Sequence, residues 1–199
     1  MNSNTTKTKI METMYRLIAE KGYDKTSIGQ IADAIGIKKA SIYYYFKSKE
    51  DIFLQMVREL YKEDYSEQAD FLKKEIGTDE YRSGLLATGE QFIDSYFTNH
   101  SLRKVYAEID IQTTRIPALK EFINADDVKF NCFLKKCVMR GVEIGAFPEN
   151  FDAGLNAQIL YTTLIGIDQA ILYELPIEPK AVWKEVISKL FEREGFSQS

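Results

Sequence analysis

The hydrophobic residues of this chain recur with the period of an α-helix almost from end to end. Near the N-terminus, for example, Ile10, Met14, Leu17 and Ile18 share one helical face. No convincing stretch alternates apolar and polar residues as a half-buried strand would. Only four prolines occur in 199 residues, which leaves room for long helices. The pattern predicts an all-α protein with about nine helices.

Capping residues and helix breakers divide this pattern into segments. Gly22 and Gly36 follow the last periodic residues of two segments and are natural left-handed stops. Residues 27–30, Ser-Ile-Gly-Gln, have the pattern of a capping box that starts the second helix. We expect an interruption near 125–126. The expected helices are about 7–21, 27–35, 38–45, 49–75, 77–98, 102–112, 117 to 141–145, 152–173 and 179–195.

Charge is unevenly distributed along the chain. The whole sequence has a formal net charge of −4. Residues 1–50 hold nine lysines and arginines and five acids, a net charge of +4, so the remaining residues carry −8. A basic head on an acidic body indicates that a polyanion contacts the N-terminal end. Such asymmetry also arises by chance on solvated surfaces, so charge alone does not decide between the two interpretations.

Residues 27–45 have the spacing of a helix-turn-helix. Ala32 is small where two helices cross closely, Gly36 allows the positive φ of a sharp turn, and Ile42 fixes the second helix against the first. In such a unit the second helix enters the DNA major groove. Many helical proteins contain this triple, so by itself it is a weak signal.

The second helix of this unit, expected at Lys38–Tyr45, carries more polar groups than a core element needs. Three adjacent tyrosines and two lysines cannot all face inward in so short a helix. Several hydroxyls and both ammonium groups must therefore face solvent or a partner. Phosphates and base edges suit that set of side chains.

From Ile10 to Leu60 the chain resembles the DNA-binding domain of the TetR family of bacterial transcription regulators. The likeness covers about a quarter of the chain, and its Tyr-x-x-Phe-x-x-Lys-Glu ending is specific. Beyond Leu60 the likeness is architectural. The matching residues are Ile10, Leu17, Ile18, Gly22, Tyr23, Thr26, Ser27, Ile31, Ala32, Ala34, Ile35, Gly36, Ile37, the run 41–46, Ser48, Lys49 and Glu50. The resemblance implies a helix-turn-helix DNA-binding domain at 1–50 and a helical effector-binding and dimerisation domain at 51–199.

The resemblance also implies roles for individual residues of the head. Phosphate contacts fall to Ser27, Tyr43, Tyr45 and Lys49. Base edges would be faced by Lys38, Lys39 and Tyr44, and Ser41 completes the DNA-binding set. The chain departs from the family pattern at Lys38, where a small polar residue is common, at Ala40, where a glycine is common, and at Tyr45, where a histidine is common.

The segment 152–173 is apolar nearly all round, so it must be buried on more than one side. A partner helix can pack closely against its small residues, which are Gly154, Ala157, Gly166 and Ala170. The last helix adds an apolar stripe that includes Trp183. We expect a homodimer through 152–173 and 179–195, which is also how the family dimerises. Two heads then imply a palindromic operator.

The middle of the chain is rich in aromatic residues. Family members enclose a small-molecule effector among the corresponding helices, so the resemblance implies an effector pocket here. Plain core packing remains the competing interpretation for each residue taken singly. The candidate lining residues are Phe92, Tyr96, Tyr106, Phe133, Tyr161 and Ile165, with Gln158 and Thr162 as polar tips.

The sequence contains few of the residues and motifs that enzymes commonly use for catalysis. It contains one histidine, His100, and two cysteines, and no Gly-rich phosphate loop or nucleophile elbow. We therefore expect no enzymatic activity, no cofactor and no metal site. No apolar run approaches the roughly 18 residues of a membrane span. The first seven residues lack the apolar stretch of a secretion signal, so we expect a cytoplasmic protein that does not contact membrane.

Three functions remain open at this point. We favour a homodimeric, ligand-responsive DNA-binding transcription regulator, and a repressor over an activator. The alternative is a helical small-molecule carrier or enzyme with a vestigial helix-turn-helix head. The third is a protein-binding module that uses the tyrosines of the head, and its affinity would lack the steep salt dependence of phosphate contacts.

Overall fold

The computed structural model describes residues 3–62, 69–72 and 75–192. Within these ranges the chain forms nine α-helices and one short 3-10 helix, Asp70–Leu72, and no strand. The prediction of an all-α fold is therefore confirmed. The helices are α1 (Ser3–Lys21), α2 (Ile28–Ile35), α3 (Lys39–Ile42), α4 (Lys49–Leu60), α5 (Thr78–Thr98), α6 (His100–Thr113), α7 (Pro117–Glu143), α8 (Ala153–Leu172) and α9 (Pro179–Glu192).

The chain divides into two compact units. The first comprises Met1–Glu63 and Asn99–Ile123, and the second comprises Asp64–Thr98 and Asn124–Ser199. The first unit is larger than the 1–50 domain expected from the sequence because α6 and the start of α7 share its core. These helices and the link between them contribute Val105, Ile109, Ile116 and Leu119 to a buried cluster with residues of α1, α2 and α4. A functional division at residue 50 stays a prediction.

The two glycine stops and the capping box that the sequence predicts around α2 are present in the structure. Gly22 and Gly36 adopt φ of 83° and 72°, the left-handed conformation that favours glycine. Ser27 is the N-cap of α2: its hydroxyl accepts from the Gln30 N–H at 3.2 Å, and the Gln30 side chain accepts from the Ser27 N–H at 2.9 Å. This reciprocal pair is the predicted capping box.

Several helix bounds differ from the expectation, most clearly those of α3, α4 and α7. The fourth helix ends at Leu60 and does not run to residue 75. Its C-cap, Tyr61, packs edge-on against the rings of Tyr106 and Phe122, at 5.8 and 6.0 Å between centroids. No glycine or proline stops the chain there, so packing overrides helix propensity. Helix α3 is four residues long, and α7 runs without the expected break near 125.

The core of the second unit is built on Trp183 and Tyr81, both fully buried. The indole N–H of Trp183 donates to the Leu86 carbonyl at 2.8 Å. The hydroxyl of Tyr81 donates to the Cys137 carbonyl at 2.9 Å. These bonds satisfy the polar ends of two large aromatic side chains inside an apolar core.

A membrane span requires a helix that is both long and apolar. Over the described residues, no helix combines the length and the apolar composition that crossing a bilayer requires.

Candidate nucleic-acid interface and effector region

Three buried residues hold the two helices of the helix-turn-helix in the first unit together. Ile31, Ala32 and Ile42 are at most 1 % exposed, as the sequence spacing predicts. The Gly36 N–H donates to the carbonyls of Ala32 and Asp33, which ends α2 and turns the chain toward α3. The inner face of α3 is thus fixed by Ile42, and its other side chains point outward.

The outer surface of α3 and the turn after it is basic and aromatic. The side chains of Lys38, Lys39 and Ser41 are exposed. Tyr44 is 82 % exposed and Tyr43 is 49 % exposed, which is unusual for such large rings. The surface therefore presents two ammonium groups and phenol hydroxyls within the short stretch 38–44.

Tyr45 occupies an intermediate position. It is half-buried and packs against the core of the first unit, and its ring meets that of Tyr44 edge-on at 5.1 Å between centroids. The next residue, Phe46, is 1 % exposed and anchors the turn. Tyr45 thus supports the exposed ring of Tyr44.

Ser27 is exposed at the N-terminus of α2. Its oxygen accepts the capping bond from Gln30, so the hydroxyl proton stays available to an acceptor. The first N–H groups of a helix also favour an anion. This arrangement suits the phosphate contact that the resemblance implies for Ser27.

Lys49 is placed differently from the other residues of the predicted DNA-binding set. Its ammonium donates to the Tyr23 carbonyl at 3.0 Å and lies 3.9 Å from the centroid of the Tyr23 ring. Burial, followed by the charges of Glu50 and Asp24, raises the pKa of Tyr23 to about 12. The phenol therefore stays protonated at neutral pH.

A second cation contacts the same turn, between α1 and α2. Arg115, which lies between α6 and α7, donates to the Asp24 carboxylate at 2.9 Å. This pair was not predicted from the sequence, because 91 residues separate its members and no local pattern links them. Both side chains are more than half exposed, so the pair contributes at most about 1 kcal/mol.

In the second unit, four of the predicted effector residues lie in one aromatic cluster. Phe130, which is absent from the predicted lining set, is its centre. The Phe130 centroid lies 5.8 Å from that of Phe92, 6.4 Å from that of Phe133 and 6.2 Å from that of Tyr161. Tyr96 joins through Phe92 at 5.4 Å. We refer to these five residues as the aromatic cluster.

A carboxylate adjoins the aromatic cluster. Asp127 accepts a hydrogen bond from the Tyr161 hydroxyl, and its neighbour Asp126 is 5 % exposed. Burial raises the pKa of Asp127; the bond from Tyr161 opposes this rise, and the charge of Asp126 adds to it. Burial and the nearby Asp127 raise the pKa of Tyr161 to about 12. Aspartates on a long helix carry no distinctive sequence signal, so neither carboxylate was predicted to belong to a site.

The remaining predicted effector residues lie elsewhere. Tyr106 belongs to the first unit, where it packs against Tyr61. Gln158 and Thr162 are exposed on α8, and the Thr162 hydroxyl donates to the Gln158 carbonyl of its own helix at 2.8 Å. Ile165 is half-buried. Both side chains thus lie on the exposed side of α8 in the single chain, and their role as polar tips of a pocket stays a prediction.

An open cleft of about 690 Å³ lies between α1 and α4 of the first unit. Met11, Tyr15, Met56 and Leu60 supply its apolar lining, and charged side chains, among them Arg58, also line it. None of the predicted effector residues lines this cleft. Among the residues that the structure describes, no three histidine, cysteine or acidic side chains come together as metal ligands.

Comparison with known proteins places the helix-turn-helix in a family. Residues 10–56 match the model of bacterial regulatory proteins of the tetR family. The matched range includes α2, α3 and the turn that carries the exposed lysines and tyrosines.

Two curated relatives match parts of the chain. The biofilm operon icaADBC HTH-type negative transcriptional regulator IcaR of Staphylococcus aureus is 48 % identical over 52 residues, which are 26 % of this chain and 28 % of that protein. The probable HTH-type transcriptional regulator YttP of Bacillus subtilis is 35 % identical over 114 residues, 56 % of this chain and 54 % of that protein. The matches span about half or less of the length of these relatives.

A solved structure extends the likeness of fold to nearly the whole chain. A TetR transcription regulator from Haloarcula marismortui superposes with a TM-score of 0.78, over 96 % of this chain and 98 % of that one, at 20 % identity. A sequence identity of 20 % supports a shared fold and nothing beyond it. Residues 10–56 thus resemble the tetR family of bacterial regulatory proteins, and the chain as a whole shares the fold of a solved TetR transcription regulator.

Proposed function

We propose that this protein is a homodimeric transcriptional repressor that a small-molecule effector releases from a palindromic DNA operator. The observation that carries the proposal is the exposed surface of the helix-turn-helix, where Lys38, Lys39 and Tyr44 project from α3 and the residues that flank it. A carrier or enzyme with a vestigial head would have no reason to keep this surface basic. The negative regulator IcaR, which is 48 % identical over 52 residues, supports repression over activation.

The DNA-binding set divides into two groups by chemistry. Lys38, Lys39, Ser41 and Tyr44 lie on or beside α3, where they would face base edges in the major groove. Phosphates would accept hydroxyl protons from Ser27, Tyr43 and Tyr45 and an ammonium N–H from Lys49, which fixes the register of the head on the duplex.

The proposed dimer uses α8 and α9, which pack against each other in one chain. On the outward face of α8, Leu155 is 53 % exposed and Gly166 has open space where a Cβ would be. Val182 of α9 is 40 % exposed. A second copy of the chain would bury these groups in an isologous four-helix interface.

The proposed effector site is the aromatic cluster of the second unit with Asp127. Aromatic faces bind apolar and cationic groups, and a carboxylate accepts hydrogen bonds from a ligand donor. We therefore expect an effector with an apolar or aromatic body and a positive charge or hydrogen-bond donor. Binding lowers DNA affinity only if the effector prefers the conformation that DNA does not, and DNA then lowers effector affinity by the same factor.

Binding to a random-sequence DNA duplex pool at two salt concentrations, with sequencing of the retained fraction, tests this proposal. We expect an inverted repeat to be enriched and affinity to fall steeply as salt rises, because each phosphate contact releases counterions. A folded protein that retains no DNA at low salt would overturn the proposal and favour the carrier or enzyme alternative. Salt-independent capture of other proteins by the head would favour the protein-binding module.

A further inference from the structure

The cleft between α1 and α4 has the size of a small-molecule site. Its volume is about 690 Å³, and ligand pockets typically enclose roughly 300–1,000 Å³. All of its lining residues belong to the first unit, and none of them belongs to the aromatic cluster. The cleft is therefore a feature of the head that the proposed function leaves unused.

The floor of this cleft is apolar. Met56 of α4 is 3 % exposed, and Met11, Tyr15 and Leu60 are half-buried against the same core. Methionine side chains are unbranched and polarizable, so they adapt to ligands of different shape. A hydrocarbon chain or ring would remove this floor from water, which is favourable in proportion to the apolar area covered.

Arg58 is the cation best placed to hold a polar end of such a ligand. Its guanidinium carbon lies over the Phe122 ring, 5.8 Å from the centroid, so a cation–π contact orients it. Within the parts of the chain that the structure describes, Arg58 enters no salt bridge and no side-chain hydrogen bond. Its planar fork of N–H donors therefore stays available, and that fork matches the two oxygens of a carboxylate.

The other charges around the cleft favour an anionic ligand over a cationic one. The lining holds three cations and two carboxylates. Lys62 and Glu59 neutralise each other in an ion pair at 3.2 Å. Arg58 and Lys7 are then opposed by a single lining carboxylate, that of Glu12.

We propose that the cleft between α1 and α4 is a second ligand site, which binds an amphipathic carboxylate. Arg58 would bind the carboxylate group, and the apolar part of the ligand would cover Met11, Met56 and Leu60. The effector proposed for the aromatic cluster carries a positive charge or a hydrogen-bond donor, so the two sites take ligands of different chemistry.

Decanoate is the probe, and decan-1-ol and decyltrimethylammonium provide the same hydrocarbon chain with a neutral and a cationic end. Each is titrated calorimetrically, below the concentration at which it forms micelles, into the full-length wild-type chain, Arg58→Gln and Met11→Gln. Arg16→Gln is the matched control, because Arg16 is an exposed arginine of α1 that does not line the cleft. A decanoate analogue with a photoreactive diazirine, mapped by mass spectrometry, locates the bound ligand.

We expect decanoate to bind about tenfold more tightly than decan-1-ol, the factor that one charge-assisted hydrogen bond supplies, and decyltrimethylammonium to bind least. Arg58→Gln should remove the preference for decanoate and leave the affinity for decan-1-ol unchanged. Met11→Gln should weaken both ligands, and Arg16→Gln should bind as the wild-type chain does. The photoreactive analogue should label residues 7–15 and 55–62.

Any of three results would overturn the proposal: no binding of decanoate, a preference for decanoate that survives Arg58→Gln, or labelling confined to other parts of the chain. If circular dichroism shows that Met11→Gln does not fold, Arg58→Gln and the labelling still decide the question. The measurement uses no DNA, so a failure of the proposed function would leave its outcome unchanged.

Discussion

Trp183 of α9 lies directly over Gly89 of α5. A Cβ built on Gly89 would overlap the indole ring, while the indole N–H donates to the Leu86 carbonyl one turn earlier at 2.8 Å. Trp183 is fully buried and is the one tryptophan of the chain. The missing side chain at Gly89 is therefore what lets α9 close on α5, and Trp183 reports on that packing by its fluorescence.

Gly89→Ala should destabilise the second unit by about 1–3 kcal/mol, because the added methyl forces the indole or the helix to move. Chemical denaturation followed by Trp183 fluorescence measures the change. Gly77→Ala is the matched control: no atom lies within 4 Å of a Cβ built there, so the same substitution should change the free energy of unfolding far less. Equal unfolding free energies for Gly89→Ala and the wild-type chain would contradict the overlap.

Lys38→Gln with Lys39→Gln should weaken binding to the enriched DNA by about 1–3 kcal/mol for each base edge that is no longer recognised, and should reduce the salt slope. Both side chains are exposed, so the thermal stability should not change. The double substitution Lys135→Gln and Lys136→Gln removes the same charge from exposed positions of the second unit. An identical decrease in DNA affinity for the two double variants would reduce the role of α3 to nonspecific charge.

Substitutions of Ser27 separate helix capping from DNA contact. Ser27→Ala should cost about 1 kcal/mol of stability, because Gln30 loses its capping acceptor. Ser27→Asp keeps that acceptor and should preserve stability, yet it places a negative charge beside phosphate and should abolish DNA binding. Asn99→Asp, at the N-cap of α6, adds the same charge to another capped helix. Thermal melting and DNA titration of the three variants are the measurement, and DNA binding by Ser27→Asp at wild-type affinity would remove Ser27 from the interface.

Asp127 should make stability depend on pH in the direction opposite to a salt-bridged carboxylate. Burial raises its pKa in the folded chain, so the folded state binds the proton more tightly than the unfolded state does. The destabilisation is absent below the unfolded pKa of about 3.9, grows as pH rises, and is complete above the folded pKa. Asp127→Asn should therefore be the more stable protein at neutral pH.

That advantage should shrink as the pH is lowered toward the unfolded pKa of aspartate. Denaturation of Asp127→Asn and of the wild-type chain at neutral and acidic pH gives the comparison. Glu149→Gln removes a charge from an exposed position and corrects for the change in net charge. An advantage of Asp127→Asn that grew toward acidic pH would show that the carboxylate is stabilised, not penalised, in the folded chain.

Gly166→Arg should convert the proposed dimer to a monomer. The space around Gly166 is open within one chain, so the single chain tolerates the side chain, whereas a close-packed partner helix would not. Sedimentation velocity over a range of protein concentrations measures the change. Val128→Arg, at a position of α7 that is 64 % exposed, provides the same substitution away from α8 and α9. A wild-type chain that sediments as a monomer would disprove the interface directly.

Local signals in the sequence determined most of the head. The capping box at Ser27, the left-handed turn at Gly36 and the inward position of Ile42 depend on residues within a few positions of one another. Their spacing therefore predicts their geometry, and the outward position of Lys38 and Tyr44 follows by elimination. The same holds for the helical class of the whole chain, since hydrophobic period is a local property.

Tertiary structure decided what depends on distant partners. The fourth helix ends where Tyr61 meets Tyr106 and Phe122, although helix propensity alone would let it continue. The ammonium of Lys49 contacts Tyr23, 26 residues away. Burial raises the pKa of Asp127, and the residue pattern of α7 does not predict that burial. Sequence determines conformations that neighbouring residues enforce; the folded chain alone decides which distant groups meet, because the free energy of those contacts exists only after the helices have packed.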